Sequence, residues 1–284
     1  MNLMKKLLLL LLLSLGFMSL AIADFKDGAA AYKNRDYQTA LNEWIPLAKN
    51  GDANSQYLTG FIYYSGLGVN INLKEAAYWY RKAAEQGIPI AEYSLGEMYL
   101  NGKGNLSKSY QQAFNWFTKS AEQGFAMAQH NLGMMYLQGD GVPQNDKKAV
   151  NWFSKAAEQG LPDSEFYLGW MYRKGNGVAQ NTKKAVNWYK KSANQGYAEA
   201  QFNLGVLYYS GVGVWKNKKT AVKWYRKAAE QGHTNAQYNL GVLYLGGEGV
   251  DKSLKNAAYW IKKARQKGHK YADIPWDKYE LWKY

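Results

Sequence analysis

Apolar residues recur along this chain at the three-and-four spacing of amphipathic helices. Ala200, Leu204, Leu207 and Tyr208 share one helical face. Ala221, Trp224, Tyr225, Ala228 and Ala229 share a second, with Lys218, Lys219, Lys223 and Lys227 on its opposite side. Gly211-Val212-Gly213 separates the two stretches, because glycine reaches backbone angles that other residues avoid. Gly232 stands where a C-cap glycine would end the second helix. The pattern predicts two antiparallel helices joined by a tight turn.

That pair returns six times. A Leu-Gly-x-x-Tyr pattern places its glycine at Gly60, Gly96, Gly133, Gly169, Gly205 and Gly241, 36 or 37 residues apart. Tryptophan recurs in step at Trp79, Trp116, Trp152, Trp188, Trp224 and Trp260, a fixed phase that reads as packing. A unit of about 36 residues buries too little surface to fold alone, so each pair must stack on the next. The expected fold is all-α, an α/α superhelical solenoid of antiparallel helix-pair repeats. Its repeats are drawn at 53–88, 89–124, 125–160, 161–196, 197–232 and 233–268. A half-matching, tetratricopeptide-like helix pair at 24–52 precedes them, carrying Tyr32, Tyr37, Ala40, Trp44 and Leu47. A tail at 269–284 follows, with Trp276, Tyr279, Trp282 and Tyr284 expected to form an aromatic lid.

Residues 1–23 read as a separate object. Lys5 and Lys6 precede a run of leucines from Leu7 to Leu13, and Ala21-Ile22-Ala23 offers a small-x-small cleavage site. This is the pattern of a secretory signal peptide cleaved after Ala23. The expectation is an exported protein, periplasmic or secreted, with no membrane span after cleavage. The 284-residue chain has no cysteine, which excludes disulfides, zinc–cysteine sites, iron–sulfur clusters and cysteine nucleophiles.

Leu-Gly-x-x-Tyr-x-x-Gly-x-Gly-Val, then Lys-Ala-x-x-Trp, then Ala-Ala-Glu-Gln-Gly resembles the Sel-one-like repeat, a relative of the tetratricopeptide repeat. The stretch from Leu132-Gly133-Met134-Met135-Tyr136 to Ala156-Ala157-Glu158-Gln159-Gly160 follows the pattern closely. Thr59 departs from it in the first repeat, and Asn105-Leu106-Ser107 in the second. The resemblance implies a protein-interaction scaffold or adaptor, and many bacterial members are exported. Some cysteine-rich relatives are credited with penicillin binding, the basis for a hydrolase as a third function class. The chain has neither those cysteines nor a Ser-x-x-Lys motif.

No other catalytic motif holds: Gly-x-Ser-x-Gly, a phosphate loop and His-Glu-x-x-His are all missing. The expectation is no enzyme, no cofactor and no metal. Only His130, His233 and His269 are present, and His130 takes a place held elsewhere by Tyr or Phe. More telling is where the repeats differ. Positions fixed by packing recur, while those two before the conserved glycine, one after it, and four and five after it drift. These share a face of the first helix, the side that lines the groove in helical-repeat solenoids. They nominate Asn131, Tyr167, Trp170, Arg173, Asn203, Tyr209 and Asn239 as a protein- or peptide-binding groove, beside Ser94 and Tyr64. Asparagine can pair with an extended backbone, and aromatic rings anchor side chains.

Charge supplies the alternative. The formal net charge is +14. Before Val142, the signal aside, 10 basic residues face 11 acidic; from Val142 onward, 24 face 11. Lys183, Lys184, Lys190 and Lys191, with Lys218, Lys219, Lys223 and Lys227, form a candidate basic surface. An envelope component that is anionic (lipid, glycan or acidic protein) is the second class of partner. Nucleic acid is not expected for an exported protein.

Overall fold

The protein is described by a computed structural model over residues 21–284. The leucine run lies outside the described residues, so the expected export signal at 1–23 has no structural account beyond the backbone of 21–23. Fifteen α-helices and one short 3₁₀ turn make up the described residues, with no strand. None of these helices is long and apolar enough to cross a membrane.

The leading pair is α1 (Ala21–Lys33) and α2 (Tyr37–Lys49). Six repeats of two helices each follow in chain order: α3 (Ala53–Ser65) and α4 (Leu73–Glu85), α5 (Pro89–Asn101) and α6 (Tyr110–Glu122), α7 (Ala126–Gln138) and α8 (Asp146–Glu158). Then come α9 (Pro162–Lys174) with α10 (Thr182–Asn194), α11 (Ala198–Ser210) with α12 (Lys218–Glu230), and α13 (Thr234–Gly246) with α14 (Leu254–Gln266). The tail holds α15 (Asp273–Lys278) and the 3₁₀ turn Leu281–Lys283. The chain divides into two compact units. The first is the described residues up to Met135 with Gly139–Pro143; the second is Tyr136–Gln138 with Gln144–Tyr284. Within each unit helices pack on their neighbours in chain order, the stacking of helix pairs that the repeat predicts.

Local chemistry sets the helix ends. Second helices begin at a side-chain cap: Asn217 accepts from the Thr220 N–H at 2.8 Å, and Asn72, Asn145, Asn181, Ser109 and Ser253 do the same in their repeats. Such a cap is worth about 0.5–2 kcal/mol. First helices stop at a left-handed glycine such as Gly211, whose φ is +79°. In the second repeat Asn105 takes a left-handed angle beside Gly104, which asparagine tolerates better than most residues.

The conserved glycine of each first helix admits a ring. A Cβ on Gly205 would lie 2.7 Å from Tyr225, and one on Gly169 would lie 2.9 Å from Tyr189. Gly60 meets Tyr80, Gly96 meets Phe117 and Gly241 meets Ile261 in the same manner. These partners sit one position after the recurring tryptophans, which corrects the expectation that the tryptophans form the core. Trp79 and Trp260 are buried, but Trp116, Trp152, Trp188 and Trp224 are half-buried at the margin of the apolar face. A lysine one turn later covers each: Lys119, Lys155, Lys191 and Lys227 lie 4.3, 4.1, 4.0 and 4.9 Å from the ring centroids. One residue further along turns the side chain about 100° around the helix, into the stack.

Glutamines clamp successive pairs. Gln201, 3 % exposed, donates to the Ala193 carbonyl at 3.1 Å and accepts from Gln231 at 2.8 Å. Gln231 also donates to the Gly196 carbonyl. Gln56 with Gln86 repeats this arrangement, and Glu165 with Gln195 varies it. At the C-terminus the expected lid is only partly aromatic. Ala272, Pro275 and Leu281 are buried and Trp276 half-buried, whereas Tyr279, Trp282 and Tyr284 are exposed. The small residues fit closely under the last helix, and the larger rings stay outside.

Candidate functional site

In the first unit the first-helix face contains a recess of about 80 Å³. Tyr64 from α3, Tyr80 from α4, and Tyr93, Ser94 and Glu97 from α5 line it. Tyr80 is 1 % exposed, and its hydroxyl is buried without a hydrogen-bond partner. Burial holds its phenol well above the ordinary range, with the neighbouring Tyr57 and Tyr64 adding to the rise. Lys103 stands over Tyr64, donating to its hydroxyl at 3.0 Å with the ammonium 5.3 Å from the ring centroid. Asn131 closes the other side by donating to Glu97 Oε1 at 2.7 Å. A buried polar group normally finds a partner. Here three rings, a carboxylate and an unpaired hydroxyl leave a slot for a side chain with an apolar stem and a polar tip.

Burial also holds the Glu97 carboxyl above its ordinary value, against the opposing Asn131 hydrogen bond and Lys103 charge. The native state therefore binds this proton more tightly than the unfolded chain does. The associated stability is full below the ordinary carboxylate range, about pH 4, and declines as pH rises through the native value. Glu97→Gln keeps an acceptor for Asn131 and removes the titration. Thermal midpoints measured across mildly acidic pH are expected to fall with rising pH less steeply in Glu97→Gln than in the parent.

The nominated groove residues divide between the two units. Asn131 belongs to the first and is committed to Glu97, so it helps to build the recess. The others lie in the second, on α9, α11 and α13. Tyr167 stacks on Phe153 at 5.3 Å, and burial raises its phenol, with Asp163 and Glu199 reinforcing the shift. Trp170 is half-buried against the cluster of Ala185, Tyr189, Leu204 and Leu207, so this nominated groove residue also takes part in packing. Arg173 has a buried Nε without a partner, and its charge opposes the burial that pushes Tyr189 up to about 12. Asn203 donates to the Glu199 carbonyl in its own helix at 2.8 Å. Tyr209 donates to Glu248 at 2.9 Å, and Glu248 pairs with Lys218 at 2.8 Å. Asn239, half-buried, counters the burial that pushes Tyr225 up to about 12. Asn203 thus serves its own helix, whereas Asn131 and Asn239 act on the preceding repeat.

Sequence reasoning reached Tyr64 and Ser94 but missed Tyr80, Tyr93 and Glu97. The first two recur as aromatics in most repeats and look like packing alone. Glu97 is the signal that could have found the recess: it is a carboxylate where the other repeats place Phe61, Met134, Trp170, Val206 and Val242.

The nominated lysines behave in two ways. Lys184, Lys190, Lys191 and Lys227 lie over the rings of Tyr172, Tyr208, Trp188 and Trp224, at 5.2, 5.7, 4.0 and 4.9 Å. Lys219 and Lys223, with Lys227 and Arg226, line an open groove of about 980 Å³ that also carries Glu230 and Asp251. Lys183 is exposed, and Lys218 is paired with Glu248. Among the described residues no cluster of His, Asp or Glu could hold a metal ion.

The Sel1 repeat profile matches residues 53–88, 89–125, 126–161, 162–197, 198–233 and 234–269. Among solved structures, a Sel1 repeat protein from Oxalobacter formigenes is 34 % identical with a TM-score of 0.78, over 86 % of this chain and 98 % of that one. A protective antigen of uropathogenic Escherichia coli with the same repeat fold is 36 % identical with a TM-score of 0.78, over 82 % of this chain and 50 % of that one. Among curated proteins, HRD3A of Arabidopsis thaliana, a component of an ERAD-associated E3 ubiquitin ligase, is 40 % identical over 58 residues. That stretch is 20 % of this chain and 9 % of HRD3A. A sel1-like repeat protein of Acanthamoeba polyphaga mimivirus is 44 % identical over 62 residues, 22 % of this chain and 11 % of its own length. The chain thus spans about a tenth of the length of these curated relatives.

Proposed function

Because the chain belongs to the Sel1 repeat family, we propose that it is a non-catalytic scaffold that binds an extended peptide segment of a protein partner on its first-helix face. The recess of Tyr64, Tyr80, Tyr93, Ser94 and Glu97 is the anchor point of that reading. The observation that carries it is the buried, unpaired Tyr80 hydroxyl facing a slot already walled by rings and a carboxylate. Rings supply contact area at low entropy cost, and an unmet hydroxyl rewards a ligand that reaches it. Family kinship supports the interaction role, as does the place of HRD3A within a multiprotein ligase. In this reading the leader at 1–23 directs export, and the partner belongs to the cell envelope.

The test fills the slot. Glu97→Trp places at this position the residue that repeat four carries as Trp170. Capture of envelope proteins by the chain lacking residues 1–23 is expected to fall about tenfold or more, the loss of one good anchor. Glu122→Trp, on the exposed side of α6, is expected to change nothing. Full capture by a folded Glu97→Trp protein would place recognition elsewhere.

A further inference from the structure

Trp215 is the most exposed large apolar side chain among the described residues, at 95 %. It projects from the turn between α11 and α12, where the corresponding turns of other repeats place Asn70, Pro143, Ala179 and Asp251. Val212, 45 % exposed, lies in the same turn. Nothing in the repeat requires a tryptophan here.

Its surroundings are basic. The turn seats on the start of α10, where a Cβ on Gly213 would lie 2.8 Å from the Thr182 carbonyl oxygen. The next turn sits likewise on the start of α12, with Gly249 against the Lys218 backbone. One edge of the second unit therefore carries Lys183 and Lys184, then Trp215 and Lys216, then Lys218 and Lys219. The acidic groups there are Glu248, which pairs with Lys218 at 2.8 Å, and Asp251. The first turns of α10 and α12 hold no acidic residue, although the positive end of a helix dipole favours one. The lysines at these positions work against the helices that bear them.

We propose that this edge docks on the surface of an anionic lipid bilayer, with the Trp215 ring entering the headgroup region and the lysines held above it. Tryptophan concentrates at the boundary between water and hydrocarbon, and clustered lysines are drawn to anionic leaflets. All the cations named are lysine. A diffuse field of lipid phosphates suits point charges, whereas paired recognition of a carboxylate or sulfate favours the fork of arginine. A convex, solitary ring needs no shaped cavity to receive it in a fluid interface. A protein partner would have to supply one, since tryptophan anchors of protein interfaces sit in well-packed pockets. The proposal uses none of the recess residues, so it stands or falls apart from the peptide reading.

Sedimentation with phosphatidylcholine vesicles, with and without phosphatidylglycerol, tests it on the chain lacking residues 1–23. Binding is expected only where phosphatidylglycerol is present. Trp215→Ser is expected to weaken it roughly tenfold, the equivalent of leaving one large apolar side chain in water. Each of Lys183→Ala and Lys216→Ala is expected to weaken it about fivefold. Circular dichroism should show unchanged helix content, since Trp215 packs on almost nothing. Brominated lipid should quench the parent more than Trp215→Phe. Failure of the parent to bind phosphatidylglycerol vesicles overturns the proposal, as does undiminished binding by Trp215→Ser. Equal binding to heparin with no loss in Trp215→Ser would also overturn it and assign the edge to an anionic glycan. Glu97→Trp should bind vesicles as the parent does.

Discussion

Tyr189→Ala is expected to destabilise the protein by about 3–5 kcal/mol, more than the same truncation of the tryptophan beside it. Tyr189 is 0 % exposed. Its ring lies 5.6 Å from Phe166, against the bare Cα of Gly169. Truncation leaves a cavity at a junction where two helices already touch closely, so the walls have little freedom to collapse. Trp188 is half-buried with Lys191 at 4.0 Å over its face. Its loss removes part of an apolar side chain and one exposed cation–π contact, about 1–2 kcal/mol together. Tyr189→Phe separates packing from polarity. The Tyr189 hydroxyl is buried beside the Arg173 guanidinium and makes no hydrogen bond of good geometry, so its removal should change stability by less than about 1.5 kcal/mol, and Phe117 and Phe153 already fill this position in other repeats. Denaturant unfolding of the three variants measures all of this. A larger loss in Trp188→Ala than in Tyr189→Ala would return the tryptophans to the core.

That comparison marks how far the sequence could be read. The helix pairs, their turns and their stacking were legible because packing imposes the same residues every 36 positions. The choice between two adjacent aromatics was not. Trp188 and Tyr189 both fall within the apolar stripe, and only the position of Gly169 on the neighbouring helix decides which ring goes under. The groove was legible as a set of drifting positions, but drift does not reveal what a residue touches. Asn203 drifts and bonds its own helix, while Trp170 drifts and packs, half-buried, against the core. The recess escaped notice because Tyr80 and Tyr93 do two jobs, packing on one side and lining a slot on the other. The C-terminal excess of lysine was plain from counting. Which of these lysines lie over rings or pair with a carboxylate, as Lys184 and Lys218 do, and which stand exposed, as Lys183, Lys216 and Lys219 do, depends on the fold around each.

The glutamine clamp was legible only as a recurring letter, and it carries the second large effect. Gln201→Leu is expected to cost about 1–3 kcal/mol, although leucine matches its size and favours helix. Gln201 spans the joint between α10 and α12 by donating to the Ala193 carbonyl and accepting from Gln231. Leucine removes both bonds from the joint, but the Ala193 carbonyl still accepts from the Gly196 N–H at 3.1 Å and the exposed Gln231 amide meets water, so each loss is that of one hydrogen bond, about 0.5–1.5 kcal/mol. Gln231 keeps its bond to the Gly196 carbonyl, which moderates the second loss. Gln231→Leu alone removes an exposed side chain from the rim of the clamp and should cost less. In the double variant the Gln201–Gln231 bond is lost only once, so the combined loss should fall short of the sum of the single losses by roughly 0.5–1 kcal/mol or more. Denaturant unfolding of the four proteins closes this cycle. Strict additivity would mean that the two glutamines act independently. A near-neutral Gln201→Leu would mean that stacking of the rings holds the repeats together without the clamp.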